Sequence, residues 1–187
     1  MARATPKIPF TYDDYKSLPF SETEQYELLG GEIVMVPSPG FRHQRISWEL
    51  EYRLSQHVRD QRLGIVADAP LDVVLGEGDD REVAQPDVLF ISHERTGIIH
   101  DDEVRGAPDL VVEILSPSTA DYDRGYKRTL YARAGVGEYW IVDPQTETAE
   151  VLTSGRGGFE PLGTFGRDDT LVSGVLPHLA IPLNSVF

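Results

Sequence analysis

The nine residues PDLVVEILS, from Pro108 to Ser116, constrain the fold more than any other stretch of this chain. They are short, mostly apolar and rich in β-branched side chains, which is the pattern of a strand covered on both faces. Such a strand must lie inside a sheet with a layer on either side, and the rest of the sequence supplies those layers. Between Phe41 and about Arg62, Ile46, Leu50, Leu54 and Val58 recur every fourth residue, marking an amphipathic helix with polar faces rich in arginine. A second helix starts after Ser118 or Thr119, carries Tyr126, Leu130 and Ala134 as its buried stripe, and stops at Gly135. GIVADAPLDVVL, VAQPDVLFIS and EYWIVDP read as further strands, and the segment from His93 to Ala107 shows no clear period. TAEVLT, GGFEPLGTF and DTLVSGVL read as short strands joined by Gly-containing turns. Elements in this order predict an α/β fold, with helices on both faces of a mixed sheet.

The first nine residues read as a flexible arm, followed by a short helix in TYDDYKSLP capped by Thr11. In QYELLGGEIVMVP, Gly30-Gly31 supplies the positive φ angles of a tight hairpin, and a two-residue loop puts Glu27, Leu29, Glu32 and Val34 on one face. A length of 187 residues suits one compact domain, residues 1–187. No apolar run is long enough to cross a bilayer, and MARATPKIPF lacks the hydrophobic middle of a signal peptide. A cytoplasmic protein with no membrane partner is therefore expected. The absence of cysteine excludes thiolate nucleophiles and Cys-based zinc sites, so any metal must sit on oxygen or histidine.

The net charge of −14 weighs against a nucleic-acid partner, because affinity for a phosphate backbone comes largely from Lys and Arg. The charge is unevenly spread, however. Residues 41–62 and 119–134 together hold nine bases (Arg42, Arg45, Arg53, Arg59, Arg62, Arg124, Lys127, Arg128, Arg133) against five acids. This surplus is either a local basic surface on an acidic body or simply a pair of solvated helix faces.

Three pieces carry chemistry: Gln85-Pro86-Asp87 at the head of one strand, Glu113 inside the next, and Lys127 one helix later. Hydrolysing a phosphodiester at neutral pH calls for a hard cation that polarises the phosphoryl oxygen and acidifies a water, and hard cations demand oxygen ligands. Asp87 and Glu113 can supply them from adjacent strands, with the carbonyl of Ile114 as a further ligand. Alone, Asp87 is an ordinary strand-end carboxylate. Glu113 stands between Val111, Val112, Ile114 and Leu115, where desolvation costs several kcal/mol unless a cation or hydrogen-bond donors compensate it. A structural salt bridge is the alternative for that residue. Of seventeen bases only Lys7, Lys16 and Lys127 are lysine, so Lys127 is noticeable among arginines. It lies about 100° round from Tyr126, at the border of the helix's buried stripe, and on the residues alone a solvated helix-surface role is the more ordinary one. Tyr139, Trp48 and Trp140 are candidates for stacking on bases, with core packing as the more ordinary role. Parity puts Asp109 on the face of Glu113 but too far along the strand to share an ion, so it reads as the residue that starts the strand.

The ordered set YELLGGEIVMVPSP, HQ, QPDVLF, PDLVVEILSPST, a helix containing Lys127, and GVGEYWIVDP strongly resembles a large prokaryotic family of restriction-endonuclease-like proteins in the PD-(D/E)XK nuclease superfamily. The match runs from about Tyr12 to Pro144 and continues more loosely to the tail. The resemblance implies a three-layer α/β/α domain and a metal-dependent endonuclease acting on nucleic acid, expected to be DNA. It implies Mg²⁺ or Mn²⁺ as cofactor and, often, a homodimer that cuts two strands. By this resemblance Asp87, Glu113 and the Ile114 carbonyl hold the metal. In the orthodox pattern the lysine lies two residues after the second carboxylate, but Leu115 stands there; in the family the lysine has migrated to the following helix, where Lys127 matches. Glu27 matches the family's N-terminal glutamate, binding a second ion, holding a metal-bound water, or serving only as a hydrogen-bonding residue. His43 matches the HQ pair and contacts phosphate or else caps its helix. Two rival readings are a catalytically idle binding or assembly module of the same fold, and a metal-independent hydrolase using Glu27 and Glu113 as an acid/base pair.

Overall fold

A computed structural model describes residues 8–19 and 24–187; the expected arm at residues 1–9 lies, for residues 1–7, outside the described residues. Among the described residues the helices are α1 (Tyr12–Lys16), α2 (Phe41–Gln61) and α3 (Arg128–Ala134). The strands are β1 (Gln25–Leu29), β2 (Glu32–Val36), β3 (Gly64–Asp68), β4 (Asp72–Leu75), β5 (Glu82–Ala84), β6 (Val88–Ser92) and β7 (Glu103–Arg105). They continue with β8 (Leu110–Ile114), β9 (Glu138–Asp143), β10 (Thr148–Gly155), β11 (Gly158–Gly166), β12 (Thr170–Val172) and β13 (Ala180–Pro182). None of the described helices is long and apolar enough to cross a membrane.

PDLVVEILS forms the strand expected of it. β8 is buried along its whole length and lies inside a six-stranded sheet ordered β11-β10-β9-β8-β6-β3, parallel to β9 and antiparallel to β6. Its alternating side chains serve two cores. Leu110, Val112 and Ile114 pack with Ile46, Leu50, Leu54 and Val58 of α2, whereas Val111 and Leu115 pack with Leu130 and Tyr131 of α3. Each of those four fully covered α2 side chains contributes about 1.5–3 kcal/mol relative to exposure. The expected mixed sheet between helical layers is thus present, with an addition. A second sheet, ordered β2-β1-β5-β4-β7, shares the α3 side through Leu29, Val73, Leu75, Ala84 and Val104.

That second sheet corrects three sequence expectations. GIVADAPLDVVL is two strands rather than one, because β3 belongs to the central sheet and β4 to the other, with Ala69-Pro70 between them. VAQPDVLFIS is likewise split at Gln85-Pro86-Asp87 into β5 and β6. Proline offers no N–H to a ladder, so each of these prolines ends one pairing and frees the chain to cross to the other sheet. The segment from His93 to Ala107 contains a 3₁₀ turn, His93–Ile98, and the short strand β7. The hairpin follows expectation. Gly30 and Gly31 have φ of 60° and 74°, and a Cβ on Gly31 would lie 2.5 Å from Pro9.

The helix after Ser116 departs from ideal form. Residues Tyr122–Lys127 make a π-helical turn before α3. The wider turn advances each residue by less than the about 100° of an α-helix, so the buried face shifts from the expected Tyr126, Leu130 and Ala134 to Asp123, Lys127, Leu130 and Tyr131. Tyr126 and Ala134 are only half-buried.

The second sheet is anchored by a buried carboxylate. Glu103 accepts from the Tyr12 hydroxyl at 2.7 and 2.9 Å and from Lys16 at 3.1 Å, and pairs with Arg105. Burial opposes its ionisation, but Tyr12, Arg105 and Lys16 outweigh burial and bring its pKa down to about 2. A carboxyl depressed in the folded state stabilises fully above its unfolded pKa and loses that stabilisation as pH falls through the folded value. The melting-temperature deficit of Glu103→Gln is therefore expected to be largest near neutrality, corresponding to about 2 kcal/mol, and to shrink between about pH 4.5 and pH 2. Thermal melts of both proteins across that range check it; a deficit that is constant with pH would refute the assignment.

Candidate active site

The chemistry-bearing residues meet at the seam where the chain crosses between the two sheets. Gln85-Pro86-Asp87 is that crossing. Asp87 stands directly before β6, and its Oδ2 accepts the Ile114 backbone N–H at 2.6 Å, fixing it against the end of β8. Glu27 projects from β1 of the second sheet; its Oε1 accepts the Gln85 backbone N–H at 2.8 Å. Glu113 is on β8, on the face turned toward the helix that carries Lys127. Glu27, Asp87, Glu113 and Lys127, with His43 and Asp123, line one cavity of about 530 Å³.

Lys127 is the centre of this cluster. Its Nζ lies 2.8 Å from Glu27 Oε1, 3.0 Å from Glu113 Oε1 and 3.4 Å from Asp123 Oδ1, with only 5 % of its side chain exposed. It is fully inside the site rather than at the border of a stripe, because the π turn directs it inward. The Tyr131 hydroxyl adds a bond to Glu113 Oε1 at 2.6 Å. Glu113 thus has the donors that its apolar strand demanded. Burial pushes its carboxyl well up, Lys127 pulls it down, and Asp123, Asp87 and Glu27 push it up again. Burial likewise opposes the charge on Lys127, but Glu113, Glu27 and Asp123 outweigh burial and hold it as ammonium.

His43 sits at the start of α2 with its Nε2 2.9 Å from the Ile114 carbonyl and 3.3 Å from Asp87 Oδ2. Both partners are acceptors, so Nε2 carries the proton. Burial opposes a charged imidazole, but the Asp87 carboxylate and the Ile114 carbonyl prevail and its pKa is raised. The carbonyl of Ile114 is therefore occupied by a side chain from α2.

Other sequence candidates fall elsewhere. Glu32 is exposed on the hairpin. Asp109 accepts the Ser92 N–H at 2.7 Å and pairs with Arg95 at 3.1 Å, a structural role at the start of β8. Tyr139 and Trp140 are fully buried, whereas Trp48 is exposed and stacked on Tyr52 at 5.7 Å. Part of the basic surplus is paired within the chain: Arg42 with Glu147, Arg53 with Glu49, Arg124 with Asp143 and Arg133 with Glu82.

Asp123 has no counterpart among the sequence candidates. It is 1 % exposed, and its Oδ1 is buried without a hydrogen-bond partner. The signal that could have found it is its spacing four residues before Lys127, but an acid at that spacing from a base is ordinary on a solvated helix.

The donor set suits a hard divalent cation in chemistry and in charge. Four carboxylates (Glu27, Asp87, Glu113, Asp123) face one fixed cation, Lys127, and one of their oxygens is an orphan. Among the described residues no group of three or more His, Cys, Asp or Glu is spaced to hold an ion. Side-chain ligands would therefore be few, with the Ile114 carbonyl and water completing the shell.

A mixed central sheet between helical layers, with its acids and one ammonium gathered at the strand ends, defines a restriction-endonuclease-like protein. A crystal structure from Anabaena variabilis, described as "a putative nuclease belonging to DUF820", has this fold: TM-score 0.78, 24% identity, 96% of this chain and 98% of that one covered. An uncharacterized protein of Synechocystis sp. is 27% identical over 144 residues, which span 76% of this chain and 79% of that protein. The chain belongs to the Uma2 family, whose description is "putative restriction endonuclease" and whose profile matches residues 12–184.

Proposed function

We propose that this protein is a cytoplasmic, metal-dependent endonuclease that hydrolyses phosphodiester bonds of nucleic acid, DNA in the first instance. The observation that carries the reading is the position of Lys127. Its ammonium stands 3.0 Å from Glu113 although it comes from the following helix, while Leu115 occupies the place of a strand-borne lysine. Family membership supports the same reading.

In this reading Asp87 and Glu113 would hold Mg²⁺ or Mn²⁺, and the Ile114 carbonyl, which here accepts from His43, would be a further ligand. A divalent ion there supplies Lewis acidity toward the phosphoryl oxygen and lowers the pKa of water. Lys127 orients the attacking water or stabilises the developing oxyanion, which a compact ammonium does well in a site shielded from solvent. Glu27 holds Lys127 and the Gln85 backbone in place. His43, which lines the same cavity, would donate from Nε2 to a substrate phosphate. The α2 N-terminus opens on the same cavity at Gly40, Arg42 and Gln44, and its unpaired N–H groups favour an anion there.

The test is cleavage of plasmid and of single- and double-stranded oligonucleotides. Cleavage is expected with Mg²⁺ or Mn²⁺ and should stop on chelation. Cleavage that persists in excess chelator would move the chemistry to a Glu27–Glu113 pair, and none under any metal would leave a binding module.

A further inference from the structure

We propose that Asp123 is a positioning residue that retains the Lys127 ammonium in the site when a divalent cation engages Glu113. This deepens the nuclease reading and rests on it. In the present arrangement Lys127 divides its bonds among Glu27 at 2.8 Å, Glu113 at 3.0 Å and Asp123 at 3.4 Å. The first two contacts are full hydrogen-bond distances, and the third is long. A cation on Glu113 withdraws that carboxylate from the ammonium and repels the ammonium itself. Something must then compensate, or Lys127 swings out of reach of the reacting phosphate. Asp123 Oδ1 is the group with capacity to spare: it is buried, lines the cavity and has no hydrogen-bond partner.

The backbone shows that this placement is built in. Asp123 and Lys127, four residues apart, share one helical face, and within the π turn from Tyr122 to Lys127 both are buried and turned to the cavity. The turn is held by the buried Tyr139, whose hydroxyl donates to the Asp123 carbonyl at 3.0 Å. The Asp123 amide donates to the Thr119 carbonyl at 3.0 Å. A carboxylate fixed from both backbone sides, with one oxygen left unsatisfied beside an ammonium, is poised to take a stronger bond rather than already making one.

The experiment labels Lys127 with a water-soluble acylating reagent, read by mass spectrometry, in the parent and in Asp123→Asn, with and without saturating Mn²⁺. Without metal, Glu27 and Glu113 protect the amine in both proteins. With Mn²⁺ the parent stays protected, whereas Asp123→Asn labels at least about tenfold faster, the loss expected of one hydrogen bond between charged groups. In the same variant Mn²⁺ affinity by calorimetry should match the parent, and the melting temperature of the metal-free protein should be equal or higher, since one of three buried carboxylates sharing a single ammonium has been neutralised. A side chain with a merely structural role would lower that temperature. Asp123→Ser repeats the measurement should the amide misfold. Equal labelling of parent and variant with Mn²⁺ bound overturns the proposal, and so does a large loss of Mn²⁺ affinity, which would make Asp123 a ligand. Failure of the nuclease reading looks different: the parent binds Mn²⁺ and protects Lys127 but cuts no nucleic acid.

Discussion

Replacement of Lys127 by methionine should be felt twice, once in stability and once in catalysis. Removing the one ammonium strands Glu27, Glu113 and Asp123, all nearly inaccessible to solvent, without a counter-charge. Breaking a buried pair by deleting one partner costs about 3–5 kcal/mol, because the remaining charge is left uncompensated. The deficit should respond to pH in the opposite sense to that of Glu103→Gln. Burial raises the folded pKa of Glu113 and of Asp123, and carboxyls so raised destabilise above their unfolded pKa and recover as they take up protons, so Lys127→Met should gain relative stability as pH falls from neutrality. At pH values where the variant is folded, it should bind Mn²⁺ at least as well as the parent but cleave about 10²–10³-fold more slowly. Lys127→Arg should recover little, since the planar guanidinium does not fit a cage sized for an ammonium. Melting curves and single-turnover cleavage on the same preparations measure both effects. A Lys127→Met protein as stable and as active as the parent would return this lysine to a bystander.

Asp87→Ala should have the larger effect on activity and the smaller one on the fold. It removes a proposed metal ligand, so cleavage at metal concentrations that saturate the parent should fall below detection. It also deprives the Ile114 N–H of its acceptor and His43 of its carboxylate neighbour. One such hydrogen bond is worth about 1 kcal/mol, or about 2–4 °C in the melting temperature of a domain this size. Calorimetric titration with Mn²⁺ separates lost metal from lost chemistry. Parent-like cleavage by Asp87→Ala at saturating Mn²⁺ would remove Asp87 from the site.

Periodicity made α2 and β8 readable, because a one-sided helix and a two-sided strand each impose their spacing on every residue. The Gly30-Gly31 turn was readable for a local reason, the positive φ required at both positions. Which sheet a strand joins is not local. GIVADAPLDVVL and VAQPDVLFIS have continuous strand character, and only the pairing of β4 with β7 and of β6 with β8 shows that each is split. The π turn is equally silent in sequence, and an ideal α-helix through Tyr126, Leu130 and Ala134 puts Lys127 at the border of the stripe rather than inside the site. Nor was a glutamate in an apolar strand a specific signal. Glu138 in EYWIVDP is fully buried too, yet it is satisfied by Trp140 Nε1 at 2.7 Å, the Ser173 hydroxyl at 2.6 Å and the Gly174 N–H at 2.6 Å. What separates Glu113 from it is the company of other acids around one lysine, and that company is assembled from segments far apart in the chain.

The crossing from β5 to β6 also sets the order in which this chemistry can come into being. Glu113, Lys127 and Tyr131 lie within 18 residues of one another and belong to a single strand-and-helix unit that closes early and locally. Glu27 reaches Gln85 across 58 residues, a long-range closure that requires the second sheet to have docked. A partly opened chain thus owns the ammonium with Glu113 and Asp123 but lacks Glu27 and with it the full acidic cage. On the nuclease reading, cutting power would then belong to the completed fold alone, and a chain opened along the seam should leave nucleic acid uncut.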